Sequence, residues 1–462
     1  MLKTTPSLEA QKFPYRKLIS LTIPIALHKL INSSMPLVDS AMISRLGESA
    51  LTALGACNQV FLIFFLAITG IADGTALFSA QYWGDGDIKG IRKMLGLSIV
   101  GGLGLLTILA IALVLLARPI MEIITGNSDP QVVQYGVDYI RITTWGYLFL
   151  AVTNCYTSTQ RSINQPRLGV FVSVVAIGSN AIMNYIFIFG KLGFPAMGIK
   201  GAAIATVISM VLEMFLAIFL TYRYIPELAA SFKELFSFNW ELIRKTVKVS
   251  LPVTANNLQW ALGTTFYVAA YNRISTSAAA AVQVANSIQN IFAMFCISFA
   301  VSAGVIIGNK IGEGREDLAR AYSKKLLGIA FAVGVGIAII LVLARPLSLL
   351  LFEVEPHMVE TVFLLLVVVA LILPFRSMAN MVILAFFSAG GATRVGFLIE
   401  TAAVWLFAVP LCFIAATIWK WPVHLVLACS ASEQILKFLI ALPYYRSFRW
   451  LHNLTNKKQA AI

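Results

Sequence analysis

The chain has 462 residues, of which 59% are hydrophobic and only 12% charged, and its mean hydropathy is +0.83. That composition excludes an ordinary soluble domain and makes lipid the solvent for most of the chain. A formal charge of +14 brings nucleic acid to mind, but the placement of the basic residues assigns it to membrane topology and leaves no nucleic acid partner.

A helix needs roughly 20 mostly apolar residues to cross about 30 Å of hydrocarbon. Twelve stretches qualify, near 18–43, 51–80, 94–116, 134–158, 167–189, 197–222, 246–270, 279–308, 326–347, 358–387, 396–419 and 422–445. The segment before the first is polar and basic, and the apolar stretch is too long for a cleaved signal peptide, so it reads as a retained span. Span 1 carries Asn32 and Asp39 on one face, seven residues apart. An ionisable group inside a membrane costs at least about 2.5–3.5 kcal/mol and is a functional candidate by default. Pro24 and Pro36 flank Asn32; a proline removes a helical hydrogen bond, so both read as hinge points. His28 and Lys29 suit snorkelling toward the near interface.

Span 2 holds Asp73, and span 6 holds Glu213 two turns after Thr206; each fits either an ion path or an ordinary paired role. Asn180 and Asn184 lie one turn apart in span 5. Together with Asp39 they form an oxygen-rich set suited to a hard cation or a proton, so these three are the metal ligands if the ion is sodium; hydrogen bonding between helices is the alternative use of the two amides. The linker near 223–245 mixes Phe232, Leu235, Phe236, Phe238 and Trp240 with charges, as a helix lying in the interface would. Asn256 and Asn257 in span 7, with Gln283, Asn286 and Asn290 in span 8, suit either a cavity lining or helix packing. Glu433 and Lys437, one turn apart in span 12, read as a structural pair. The five cysteines sit in spans without metal-type spacing. The loops are too short for a soluble catalytic domain, and the sequence has no P-loop and no His/Cys constellation, so an enzyme is not expected, nor any cofactor beyond a coupling ion.

With span-edge residues counted in the adjoining loops, 24 of the 35 Lys and Arg fall on the side of the termini and seven on the other. Both termini are therefore expected in the cytoplasm of a multi-pass inner-membrane protein. Shifting the sequence by 228 residues places Pro24 on Pro252, Arg45 on Arg273, Gly84 on Gly312 and Gly86 on Gly314. This is an internal duplication. Six spans per half return the chain to its starting side, which predicts an all-α protein of two six-helix lobes related by an axis along the membrane normal. The expected division is an N-terminal lobe 1–222, a cytoplasmic linker 223–245 and a C-terminal lobe 246–462. Asp39 falls on Tyr267 and Asn32 on Trp260 at the same shift, and at 227 residues, which places Arg167 on Arg394 and Gly169 on Gly396, Asn180 falls on Phe407 and Asn184 on Leu411. The polar cluster is thus specific to the first half, as a site would be.

Several segments resemble the multidrug and toxic compound extrusion (MATE) family. They are Val38-Asp39-Ser40 with Arg45-Leu46-Gly47, the run Ala80 to Asp87, Asn180 to Gly190, Gly198 to Thr206, Ile307 to Gly314 and Trp450 to Thr455. The resemblance implies a twelve-helix, two-lobed fold that exports hydrophobic, often cationic drugs by antiport against sodium ions or protons; a monomer in membrane lipid is expected. It implies that Asp39, Asn180, Asn184 and Thr206 bind the coupling ion in the N-terminal lobe and that Pro24 is a hinge; Asn32, Asn256, Gln283 and Asn286 are, on the polar pattern of their spans, the expected lining of the substrate cavity. Asn184 follows the NorM branch, but the carboxylates of that branch in spans 7 and 10 are missing: Trp260 stands at the first, and Arg376 and Asn380 occupy span 10. A lipid-linked precursor flippase of the same superfamily and a channel are the alternative functions.

Overall fold

The structure, a computed structural model, describes residues 13–126, 129–348 and 358–455. Lys3, Lys12, Lys457 and Lys458, counted above at the termini, lie outside the described residues. The first half comprises α1 (Tyr15–Ile43), α2 (Glu48–Asp85), α3 (Ile88–Leu115), the short α4 (Ala117–Thr125), α5 (Pro130–Ser162), α6 (Arg167–Phe189) and α7 (Gly198–Tyr224). One turn, α8 (Phe232–Leu235), precedes α9 (Trp240–Asn272), α10 (Thr276–Gly312), α11 (Glu316–Leu343) and the short α12 (Arg345–Ser348). α13 (Val359–Asn380) runs on through a π-helical stretch, Met381–Phe387. α14 (Thr393–Thr401) continues through a second, Ala402–Ala408, into α15 (Val409–Thr417), followed by α16 (Val423–Ala431) and α17 (Glu433–Arg446).

Each of the twelve expected spans lies on a helix, and ten are long and apolar enough to cross a membrane by composition alone. The other two, α5 and α9, have 33 residues each, well beyond the roughly 20 needed, but carry more polar groups. α5 can do so because its polar face is inside: Thr143, Thr144, Thr153, Thr157, Thr159 and Gln160 are all buried. The threonine hydroxyls bond back within the helix, as in Thr143 to the Tyr139 carbonyl at 3.0 Å and Thr159 to the Cys155 carbonyl at 2.8 Å, so these buried threonines add no unpaired hydroxyl to the span.

The chain forms two compact units that interleave along the sequence. One comprises residues up to Ala26, Ala80–Gly86 and Ala255 onward; the other comprises Leu27–Ser79 and Asp87–Thr254. The boundary inside α1 falls two residues after Pro24, and that inside α9 falls two residues after Pro252, the repeat partner of Pro24. In the first unit Leu18, Leu21 and Ile25 of α1 join a core with α10, α13 and the Trp450 region. In the second, residues of α2, α5 and α7 such as Leu54, Phe64, Tyr147 and Met210 form another.

The duplication is visible at one helix crossing. Gly84 and Gly312 are repeat partners, and so are Gln81 and Asn309. A Cβ on Gly84 would lie 2.0 Å from the Asn309 carbonyl oxygen, and one on Gly312 would lie 1.9 Å from that of Gln81. The ends of α2 and α10 therefore cross with local two-fold pseudosymmetry at a distance only glycine permits. Gly84→Ala or Gly312→Ala is expected to cost about 1–3 kcal/mol through overpacking, read as a lowered Tm of the purified protein in detergent. Gly104→Ala, where a Cβ meets nothing within 4 Å, should leave Tm in place, and equal Tm values for all three would refute the crossing.

The linker departs from the expected interfacial helix. Between the end of α7 at Tyr224 and the start of α9 at Trp240 only Phe232–Leu235 is helical, started by a capping box between Ser231 and Glu234. The Ser231 backbone N–H, together with Arg92 at 2.9 Å, holds the Glu234 carboxyl below the usual carboxylate range. The turn stays short because its end is pinned: a Cβ on Gly96 of α3 would meet the Leu235 carbonyl oxygen at 1.8 Å.

Candidate functional site

Asp39, Asn180, Asn184 and Thr206, brought by α1, α6 and α7, meet inside the second unit. Both asparagines are fully buried, and Asp39 and Thr206 are 5% exposed. The α6 register puts the two amides one turn apart, so Asn184 Nδ2 donates both to Asp39 Oδ1 at 2.6 Å and to Asn180 Oδ1 at 3.1 Å. Asn180 Nδ2 points at Thr206 Oγ1 at 3.4 Å, and that hydroxyl donates to the Ala202 carbonyl at 3.0 Å. Every donor is committed, but Asn184 Oδ1 is buried without a partner. A buried acceptor left bare costs about 1–3 kcal/mol, and it sits beside a carboxylate in a set made of oxygens, which fits a hard cation or a protonated carboxyl with water.

Beside this cluster lies a cavity of about 40 Å³ lined by Asp39, Thr206, Asn32, Asn58, Tyr139 and Thr143, with Phe61, Tyr147 and Met210 as apolar walls. One water needs about 10–15 Å³ by this measure. The cavity therefore has room for an ion with a water or two, and is far below the 300–1,000 Å³ that drug-sized ligands occupy. Pro36, also in the wall, has no N–H to offer the Asn32 carbonyl one turn earlier. α1 remains helical through both Pro24 and Pro36.

The remaining candidates divide. Asn32 lines this cavity and is hydrogen-bonded to His28 at 3.5 Å. His28 does not snorkel: it is 7% exposed, and a Cβ on Gly169 of α6 would lie 3.4 Å from its ring. Asp73 is paired, accepting from Arg161 at 2.7 Å and from Ser158 at 2.9 Å. Asn256 belongs to the other unit and donates to Glu400 Oε2 at 2.8 Å, while Gln283 is exposed and Asn286 half-buried. The Glu433–Lys437 pair exists at 3.1 Å, but Lys437 also holds Glu400 at 2.9 Å. Glu400 escaped the sequence reading, as did Asn58 and Tyr139. For Asn58 the signal was available, an amide within an apolar span; for Tyr139 there was none, since tyrosine serves equally in cores.

Twelve membrane-crossing helices in two six-helix lobes, with a buried polar cluster and an ion-sized cavity, make this a multi-pass membrane protein of transporter architecture. The MatE family model matches twice, over residues 24–186 and 252–414, and the chain belongs to that family. The two matched segments begin on Pro24 and Pro252 and are displaced by the same 228 residues as the repeat. Among curated relatives, the probable multidrug resistance protein NorM of Bradyrhizobium diazoefficiens is 27% identical over 340 residues, covering 70% of this chain and 69% of its own length. The multidrug resistance protein MdtK of Edwardsiella ictaluri is 25% identical, covering 72% of this chain and 73% of its own. The solved Vibrio cholerae MATE transporter VcmN in the bent form has the same fold, with a TM-score of 0.83 at 20% identity, over 94% of this chain and 96% of that one.

Proposed function

We propose that this chain is a secondary active exporter of organic, often cationic, compounds, driven by antiport against sodium ions or protons, and that Asp39, Asn180, Asn184 and Thr206 bind the coupling ion. The observation that carries the reading is the buried, unpartnered Asn184 Oδ1 on a residue hydrogen-bonded to Asp39, whose own side chain lines a cavity of about 40 Å³. This is a site with room for an ion and none for a drug. The names of the curated relatives, multidrug resistance proteins, supply the cargo class. The distribution of basic residues supports insertion in the inner membrane with both termini cytoplasmic.

Entry of the ion neutralises Asp39 and alters its bond to Asn184, and α1 carries both groups' neighbours and the two prolines. Bending of α1 on this signal couples ion entry to drug exit. The test is uptake of a fluorescent organic cation into proteoliposomes under an imposed sodium or proton gradient. Flux driven by one of the gradients is expected; flux that follows the substrate's own gradient alone would establish a channel, and movement of lipid-linked precursors alone a flippase.

A further inference from the structure

The buried stripe of α7 does not end at the ion cavity. It continues from Thr206 through Met210, Glu213, Ala217 and Thr221, one residue per turn toward the terminus side. Glu213 is 7% exposed, yet among the described residues it makes no hydrogen bond and no ion pair.

Helix register shows what surrounds it. α6 and α7 run antiparallel, with Asn180 beside Thr206 and Phe187 against Gly201. Seven residues further along α7 and seven back along α6, Glu213 comes level with Ser173. Ser173 is 1% exposed and its Oγ likewise has no hydrogen-bond partner. α5 runs beside α7, Gly146 against Met210 and Gln160 donating to Thr221 at 2.8 Å; between those contacts it buries Leu150, Thr153 and Thr157. One turn below Ser173, a Cβ on Gly169 would lie 3.4 Å from the His28 ring and 3.5 Å from the Thr157 methyl. His28 leads back through Asn32 to the Asp39 cavity.

The titratable and charged groups on the neighbouring elements are few. α6 has none along this stretch, and α5 has Tyr147, Cys155, Tyr156 and Arg161. Cys155 accepts from Ser98, and Arg161 is held by Asp73 of α2. α1 offers His28 and Lys29. None of these places a cation within 4 Å of Glu213. A bare carboxylate at this depth costs at least about 2.5–3.5 kcal/mol, and the neutral acid avoids that cost. Two unpartnered polar side chains at one level of a packed interior call for a small ligand, and a proton with its water is the one that fits between helices.

We propose that Glu213, with Ser173 opposite, is a second proton-binding station about 10 Å along α7 from Thr206, through which protons leaving Asp39 reach the cytoplasmic side. Glu213 as the carboxylic acid gives its proton to cytoplasmic water. The carboxylate left behind is refilled by the proton lost from the Asp39 carboxyl, so one proton leaves Asp39 for each that emerges. This assignment rests on the exporter reading and deepens it by naming the proton as coupling ion.

The test uses the full chain in proteoliposomes, with ethidium as the transported cation, in wild type, Glu213→Gln and Glu213→Asp. Proton-driven transport in Glu213→Gln is expected to fall about 100-fold, the lower range for loss of a positioned proton-transfer group, while ethidium binding and gradient-free exchange stay within about twofold. Glu213→Asp restores most of the driven rate. Driven transport at the wild-type rate in Glu213→Gln, loss of binding and exchange along with it, or wild-type transport driven by sodium alone would each overturn the station and leave the exporter standing. Wild-type protein that moves ethidium under neither gradient would remove the exporter reading and the station together.

Discussion

Asp39→Asn is expected to reduce gradient-driven transport to the rate of protein-free vesicles while the protein folds and inserts as wild type does. The substitution keeps the shape of the side chain and an oxygen where Asp39 Oδ1 accepts from Asn184 Nδ2 at 2.6 Å. The links from Asn184 to Asn180 and from Asn180 to Thr206 then also keep their geometry. What disappears is the one formal charge in the cluster, and with it the group that can exchange a proton or attract a cation into the 40 Å³ cavity. Insertion does not suffer, because an amide at this depth costs less than a carboxylate. The measurement is flux under each gradient, with expression and monodispersity recorded in parallel. Normal driven flux from a well-folded Asp39→Asn protein would end the ion-site assignment, and loss of folding would transfer Asp39 to a structural role.

How much of this was legible beforehand depends on how local each signal is. Asp39, Asn180 and Asn184 stood out because a polar group in an apolar span is expensive, and the α6 spacing alone stacked the two amides. Thr206 entered only through family resemblance, since a threonine in a helix normally satisfies itself, as this one does toward Ala202. The duplication was readable from Gly84 and Gly312, but that these glycines let the ends of α2 and α10 touch each other's repeat partners needed coordinates. The interleaving of the compact units was not readable. The apolar pattern is continuous through α1 and α9, and nothing local marks that packing changes sides after Pro24 and Pro252. Glu400 was missed for a similar reason, because its partner Lys437 is 37 residues away and the pairing depends on how α14 and α17 pack.

That buried set makes the second large prediction. Lys437 is 3% exposed at its side chain and bridges Glu400 at 2.9 Å, 12% exposed, and Glu433 at 3.1 Å, 7% exposed. Both carboxylate oxygens contact one ammonium, so they lie within about 6 Å of each other. The outer oxygens are also engaged, Glu400 by Asn256 at 2.8 Å and Glu433 by the Tyr267 hydroxyl. Asn256 Oδ1 accepts in turn from Gln259, whose own Oε1 accepts from Thr401 at 2.6 Å. Such a network holds α9, α14 and α17 in register, and its stability hinges on the cation in contact with both carboxylates, Lys437. Lys437→Met leaves two facing carboxylates with no cation in contact and is expected to cost about 3–5 kcal/mol, the usual price of breaking a buried ion pair from one side. Adding Glu400→Gln and Glu433→Gln to the same protein removes the stranded charges and is expected to recover most of that loss, because a neutral replacement of a whole buried ion set is often close to neutral in stability. Thermal unfolding of the purified variants in detergent measures both steps. A triple variant no more stable than Lys437→Met, or a Lys437→Met protein as stable as wild type, would show that the charges at this junction do not hold the helices together.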